Sequence, residues 1–184
     1  MPAPTSVEEL LDAERSGTRL KYVTFWGHAP RPDGRPSAAC FSQWWDSPFT
    51  VDGVIYPTAE HWMMAGKARL FGDEAALEQV LAAASPGAAK AVGRSVHGFD
   101  DEVWEAARFE LVVQGTVHKF SAHPELLAFL LGTGDRVLVE ASPRDRVWGI
   151  GLAAGDERAQ HPASWLGLNL LGFALMVARD RLRG

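Results

Sequence analysis

One helical segment carries two charged side chains on a half-apolar face. Glu60, Met64 and Lys67 stand at positions i, i+4 and i+7, so they share one face of a helix that begins after Thr58. Helical rise separates the two charges by about 10 Å, too far for a good direct ion pair. A charge on a partly buried surface needs a partner. The spacing therefore indicates either a ligand bound between the two groups or two side chains that reach solvent at the edge of the core.

A second group of polar residues follows an apolar run near residue 138. Glu140 ends a predicted strand, and Asp145, Trp148 and Gly149 lie in the loop behind it. Acidic groups just past the end of a buried strand are often presented to a cleft. The alternative is a strand end that simply reaches water.

Several other chemistries have no support in the sequence. The histidines lack the spacing of a zinc site, and the single cysteine, Cys40, is remote from a pattern that would activate it. No nucleophile elbow, P-loop or dinucleotide-binding glycine motif occurs. We expect no metal and no cofactor, and a chemistry based on carboxylates, lysine and aromatic rings. The seven tryptophans are either core residues or the walls of a pocket for a flat heterocycle.

These residues need a framework, and the pattern predicts one α+β domain, mostly helical, with a few short strands. Helices are predicted by periodicity and by capping residues such as Thr58, Asp73 and Ser85. Their predicted ranges are 6–16, 59–71, 73–84, 85–96, 101–121, 124–131 and 163–182. Strands are predicted at 21–27 and 136–141, and short extended pieces at 39–56 around the turn Asp52-Gly53.

Composition restricts the class of protein. With 184 residues, 47% hydrophobic content and a net charge of −5, the chain is typical of a globular domain and lacks the basic excess of a duplex-binding protein. A local basic pocket for one or two phosphates remains compatible with this charge. One cysteine, no signal-peptide pattern and no apolar run of about 20 residues predict a cytoplasmic protein with no membrane partner. No obligate protein partner is evident.

Several short motifs, in order along the chain, resemble the NADAR family. The blocks are Phe41-Ser42-Gln43-Trp44, Tyr56 to Trp62, Lys67-Ala68, Gly93-Arg94, Trp104, Lys119-Phe120, Leu130-Leu131 with Thr133-Gly134, Leu138 to Ser142, Asp145 to Gly151 and Asn169 to Gly172. The resemblance implies a NADAR-type domain over residues 21–184, preceded by an N-terminal helical extension over residues 1–20.

The family resemblance implies a cofactor-free hydrolase of N-glycosidic bonds with a small nucleotide-like substrate. Two substrate classes are associated with the family. One is the phosphoribosylamino-pyrimidines of riboflavin biosynthesis, which are cleaved to ribose 5-phosphate and a free pyrimidine. The other is ADP-ribose attached to guanine bases of nucleic acid or nucleotides. The acidic chain without a basic nucleic-acid surface favours the first class.

Carried over by motif, the resemblance implies roles for specific residues. Glu60 is expected to face the anomeric carbon, assisted by Asp145 or Glu140. Lys67 is expected to hold a phosphate or the ribose, or alternatively to trap the opened sugar as a Schiff base. The expected catalytic residues are therefore Glu60, Lys67 and Asp145. The expected substrate-binding residues are Trp104 and Trp148, which would sandwich the base, and Ser42, Gln43, Glu140, Gly149 and Asn169.

Three positions depart from the family pattern. Gln43 stands where Asn is usual, and Leu166 and Leu168 stand where polar or basic residues are common, which affects the expected phosphate contacts. Two readings without catalysis also remain: a module that binds ADP-ribose or NAD, and a helical scaffold. The carboxylate Glu60 favours an enzyme over a pure binding module.

Overall fold

The computed structural model describes residues 3–184, so the first two residues of the predicted extension lie outside the described part. Its contacts define two compact units. The terminal unit contains the chain up to residue 42 together with residues 124–184, and the central unit contains residues 43–123. Within residues 3–184, no helix combines the length and apolar character needed to cross a membrane.

Seven α-helices and four short strands occur in the described residues. In chain order they are α1 (Val7–Arg15), β1 (Tyr22–Phe25), β2 (Phe49–Val51), β3 (Val54–Tyr56), α2 (Ala59–Leu70), α3 (Glu74–Leu81), α4 (Pro86–Arg94), α5 (Asp101–Ala122), α6 (Pro124–Leu131), β4 (Val137–Glu140) and α7 (Leu170–Arg183). Three 3-10 turns lie at Ala38–Phe41, Glu157–Gln160 and Pro162–Ser164.

The helices of the central unit begin at side-chain caps. The side chains of Thr58, Asp73, Ser85 and Asp100 each accept a hydrogen bond from a backbone N–H of the following first turn. Such caps satisfy donors that a helix leaves without an internal partner. The hairpin of β2 and β3 turns at Asp52 and Gly53, both with positive φ, as that tight turn requires.

Helix α2 is the central element of its unit and packs against α3, α4 and α5. Glycines permit the close approaches: a Cβ on Gly115 would lie 2.4 to 3.0 Å from the Trp62 ring, and one on Gly93 would collide with Met64. The Trp62 indole N–H donates to the carbonyl of Leu111 at 2.9 Å. These contacts fix both the rotation and the depth of α2 against its neighbours.

The terminal unit contains a parallel pair of strands, β1 and β4, in which Tyr22 pairs with Val137 and Phe25 with Glu140. Helix α7 packs against β4, and α1 contacts the 3-10 turn at Pro162–Ser164. The residues of β4 before Glu140 are buried, as expected for a strand covered on both faces.

The predicted fold class, mostly helical α+β with few short strands, is confirmed. Two local predictions were wrong. Ala38–Phe41 forms a 3-10 turn instead of an extended piece. The last helix begins at Leu170 and not at residue 163, because the N–H groups of Leu166 and Leu168 bond to the carbonyls of Ile150 and Arg146. Those distant partners hold the segment out of a helix.

Candidate functional site

Glu60 lies in the first turn of α2 and is only 4% exposed. Its backbone N–H donates to the carbonyl of Gln43 at 3.0 Å, which ties the start of α2 to the segment before β2. The alternative in which this carboxylate reaches bulk solvent is therefore wrong. Because burying a carboxylate is costly, its retention inside the unit is typical of a group kept for chemistry or for a specific network.

His61 locks the same helical turn. Its Nδ1 lies 2.8 Å from the Thr58 hydroxyl and its Nε2 lies 3.1 Å from the carbonyl oxygen of Ala83, just after α3. A carbonyl oxygen only accepts, so Nε2 donates to Ala83, and in the neutral imidazole Nδ1 then accepts from the Thr58 hydroxyl. His61 is 1% exposed. It therefore positions the turn that carries Glu60 and is not available as a metal ligand.

Lys67 occupies an aromatic setting two turns further along α2. Its ammonium donates to the carbonyl of Gly93 at 2.8 Å and lies 4.0 Å from the ring centroid of Phe99 and 5.4 Å from that of Trp104. Burial lowers the pKa of Lys67, and the nearby Asp101 carboxylate opposes that change. The structure thus brings Lys67 and Trp104 together, and one face of the Trp104 ring receives a cation.

Trp104 is buried on α5, and its replacement by alanine has two expected effects. Substrate affinity should fall about 5- to 150-fold, which corresponds to the loss of one aromatic stack of about 1–3 kcal/mol. The pKa of Lys67 should rise toward its ordinary value, because water would reach an ammonium that the ring now shields. Titration of the Lys67 side chain by NMR, alongside equilibrium binding, measures both, with Trp104→Phe as the control that keeps a ring. Unchanged affinity and an unchanged pKa would show that Trp104 only fills the core.

Asn169 connects β4 with the start of α7. Its side-chain carbonyl accepts the N–H of Glu140 at 2.9 Å, and its amide donates to the carbonyl of Leu138 at 2.9 Å. The residue is fully buried and has a left-handed backbone with φ of 54°. A Cβ at Gly172 would collide with Leu138 O and with the Asn169 side chain, so only glycine permits this approach. Asn169 therefore fixes the position at which Glu140 leaves the strand.

Asp145 organises the loop that carries Trp148. One carboxylate oxygen accepts the N–H groups of Val147 at 2.9 Å and of Trp148 at 2.8 Å. Its backbone carbonyl accepts the N–H of Gly151 at 3.1 Å. Two hydrogen bonds from the backbone immobilise the start of the loop. This geometry gives Asp145 a local structural role beside the assisting role expected from the sequence.

Gly149 lies where the loop passes closest to β4. A Cβ at this position would stand 2.8 Å from the carbonyl oxygen of Glu140 and 3.0 Å from that of Asp145. Its own carbonyl accepts the N–H of Asn169 at 3.2 Å. Glycine is therefore required by close packing of backbone, and the loop is held against both the strand and α7. Trp148 is half-buried beside it.

The expected site residues thus fall into two groups. In the central unit the structure brings Lys67 and Trp104 into contact and places Glu60, on the same helix, against Gln43. In the terminal unit Glu140, Asp145, Gly149 and Asn169 form one hydrogen-bonded cluster around the Trp148 loop. Ser42 follows the 3-10 turn at Ala38–Phe41, and its backbone N–H donates to the carbonyl of Ala39.

Two residues that the site prediction did not include stand out in the structure. Lys119 on α5 is 1% exposed, so the central unit buries an ammonium as well as the Glu60 carboxylate. Its place in the Lys119-Phe120 block of the family resemblance was the available signal in the sequence. Trp26, directly after β1, is 63% exposed, and no pattern in the sequence distinguishes it from a core tryptophan. Among residues 3–184, no group of three potential metal ligands occurs.

Comparison with known proteins gives a family match. The sequence model of the NADAR domain family matches residues 24–183 of this chain, a range that includes every expected site residue of both units. The resemblance seen in the short motifs is thereby confirmed.

Two curated relatives and one solved structure extend the match. An N-glycosidase of Acanthamoeba polyphaga mimivirus is 38% identical over 165 residues, which cover 87% of this chain and 95% of the relative. N-glycosidase YbiA of Escherichia coli K12 is 33% identical over 142 residues, 77% of this chain and 78% of the relative. The NMR structure of the E. coli protein YbiA superposes with a TM-score of 0.69 at 29% identity and covers 89% of this chain and 85% of that one.

Proposed function

The chain belongs to the NADAR family, and from that premise we propose that it hydrolyses a ribosyl C1′–N bond in phosphoribosylamino-pyrimidines. Water adds its oxygen to C1′, the C–N bond electrons return to nitrogen with a proton, and the products are ribose 5-phosphate and a free pyrimidine. The N-glycosidase names of the matched relatives support this reaction class. The riboflavin-pathway substrate is our narrower proposal and rests on the acidic chain.

The observation that carries the proposal is the burial of Glu60 in a helical turn fixed by His61 and Thr58. Cleavage of a ribosyl C–N bond passes through a transition state with positive charge on the sugar. A carboxylate held in a low-dielectric site stabilises that charge more strongly than one in water, and it can orient the attacking water. We assign Glu60 this role.

The terminal-unit residues are proposed to contribute in support. Glu140 and Asp145 are the candidates to assist the attacking water, and Trp148 is the candidate to stack on the base. Asn169 and Gly149 hold these groups in place through the backbone contacts described above. For Ser42 and Gln43 we keep the substrate-binding role that the family motif implies.

Lys67 is proposed to act as a fixed positive charge on the phosphate or ribose. Its hydrogen bond to Gly93 and its two aromatic neighbours hold the ammonium in one place. Lys67→Arg keeps the charge but forms no imine, so we expect at least a tenth of the activity to remain, whereas Lys67→Met should lose about 100-fold. Steady-state turnover of both variants decides whether Lys67 acts as a fixed charge or as a Schiff-base nucleophile. Inactive Lys67→Arg together with a borohydride-trapped sugar adduct on the unaltered protein would establish the Schiff base instead.

Chromatography of the products tests the proposed function. The purified chain is incubated separately with a phosphoribosylamino-pyrimidine and with ADP-ribosylated guanine, and the released base is quantified over time. We expect release from the first substrate with a kcat/KM at least tenfold above the second. The reverse preference would identify an ADP-ribosyl glycohydrolase. Binding of ADP-ribose with no release from either substrate would identify a non-catalytic binding module.

The place of action is also proposed. The single cysteine, Cys40, is buried in the core of the terminal unit and is not part of a disulfide. A buried thiol is compatible with a reducing compartment, and we propose the cytoplasm.

A further inference from the structure

A cavity of about 540 Å³ lies in the terminal unit, at the opposite end of the strand pair from Glu140. Its walls come from the end of α1, the connection into β1 and residues 160–161. The strand register places Tyr22 beside Val137 and Phe25 beside Glu140, three residues or about 10 Å further along. Most of its lining precedes residue 24, where the family match begins, so the N-terminal extension forms much of this cavity.

The cavity walls have a defined backbone. Gly17 ends α1 with φ of 86°, and the N–H groups of Gly17 and Thr18 return to the carbonyls of Glu14 and Ala13. This is the hydrogen-bonded arrangement of a helix C-terminus, and it directs the chain into the connection. On the strand side, the carbonyl of Lys21 accepts the N–H of Val137 at 2.8 Å.

Two cationic side chains, Arg19 and Lys21, line the cavity. Within residues 3–184, the side chains of Arg19 and Lys21 are exposed and make neither an ion pair nor a hydrogen bond. His161 and Gln160 add further donors to the same lining. A local excess of positive charge in a chain of net charge −5 favours an anionic ligand.

The carboxylate in the lining is already engaged. Glu14 accepts a hydrogen bond from the Tyr22 hydroxyl at 2.9 Å. Burial of the phenol, and next the hydrogen bond to Glu14, raise the pKa of Tyr22, so the hydroxyl stays protonated and continues to donate. The Glu14 carboxylate is thus occupied by the Tyr22 hydroxyl. Arg19 and Lys21 carry two positive charges against its single negative charge, so the three side chains have a net charge of +1.

We propose that this cavity binds a phosphorylated small molecule, with its phosphate on Arg19 and Lys21. The planar fork of an arginine and the point charge of a lysine together suit a phosphate group. The volume is within the usual range for small-molecule sites and exceeds what a bare ion fills. Leu20 and the Tyr22 ring supply apolar surface for the organic part of the ligand. This site goes beyond the proposed hydrolysis and does not depend on it.

NMR with the full chain tests the site. Ribose 5-phosphate is titrated into 15N-labelled protein, with ribose as the comparison ligand that lacks the phosphate. We expect saturable shifts at the amides of residues 17–22 and 160–161 with ribose 5-phosphate and none with ribose. Arg19→Ala and Lys21→Ala should each weaken this binding at least tenfold. Arg35→Ala removes the same charge from an exposed loop and should change it less than twofold.

Three outcomes would overturn the proposal. These are absence of shifts at residues 17–22, equal shifts with ribose, or equal weakening by Arg35→Ala, which would indicate only a general attraction of anions. Ribose 5-phosphate is also the expected product of the proposed reaction. Shifts near residues 58–67 therefore report on the candidate active site, and they should persist in Arg19→Ala. If shifts occur near residues 58–67 but not at residues 17–22, this phosphate site is wrong. If they occur at residues 17–22 but not near residues 58–67, the result counts against the proposed function instead.

Discussion

Glu60→Gln is expected to lower turnover at least 100-fold while substrate affinity stays nearly unchanged. Glutamine has the same shape and keeps the backbone hydrogen bond to Gln43, but it lacks the negative charge that stabilises the developing cation on the sugar. The loss should therefore appear in kcat and equally in kcat/KM, because it concerns an interaction made only in the transition state. Steady-state kinetics with the pyrimidine substrate measures both constants.

A matched control exists in the same unit. Glu78→Gln removes an exposed carboxylate from α3 and should leave turnover unchanged. If Glu60→Gln retained activity within threefold of the unaltered protein, Glu60 would not be the catalytic group.

Asn169→Asp is expected to destabilise the chain by about 3 kcal/mol or more. The change replaces the amide that donates to Leu138 with an oxygen facing that carbonyl, inside a fully buried site. An unsatisfied buried group costs about 1–3 kcal/mol, and a buried charge without a partner costs more. Urea unfolding followed by circular dichroism measures the change in the free energy of unfolding.

The control for this position is Asn169→Gly. Glycine accepts the positive φ of 54° but loses both side-chain hydrogen bonds, so it separates backbone strain from polar contacts. We expect it to be destabilised as well, although without the oxygen–oxygen repulsion. Asn169→Asp with a free energy of unfolding within 0.5 kcal/mol of the unaltered chain would show that the connection to β4 contributes little.

The sequence predicted those parts of the fold that local interactions determine. Helix α2 begins after Thr58 and α4 after Ser85, as their capping side chains indicated, and the Asp52-Gly53 turn predicted its hairpin. The start of α7 could not be predicted in this way. The N–H groups of Leu166 and Leu168 bond to a loop about twenty residues earlier, and only the folded chain creates those acceptors.

For the candidate site, too, the sequence predicted the local features and missed those that only the folded chain creates. The spacing of Glu60 and Lys67 predicted that both lie on one helix. The structure adds the burial of Glu60 and the aromatic partners of Lys67. The two backbone hydrogen bonds of Asp145 arise from a turn that sequence patterns describe poorly. Lys119 escaped the site prediction because lysine is rarely buried and a single sequence gives no measure of its environment.

The central claim is that the residue-60 side chain acts directly on the sugar. A structure of the Glu60→Gln protein with an uncleaved phosphoribosylamino-pyrimidine tests it most directly. We predict the residue-60 carboxamide within about 3.5 Å of C1′ or of a water positioned to attack it. A bound ligand whose ribose has no atom within hydrogen-bonding reach of residue 60, directly or through one water, would contradict the account.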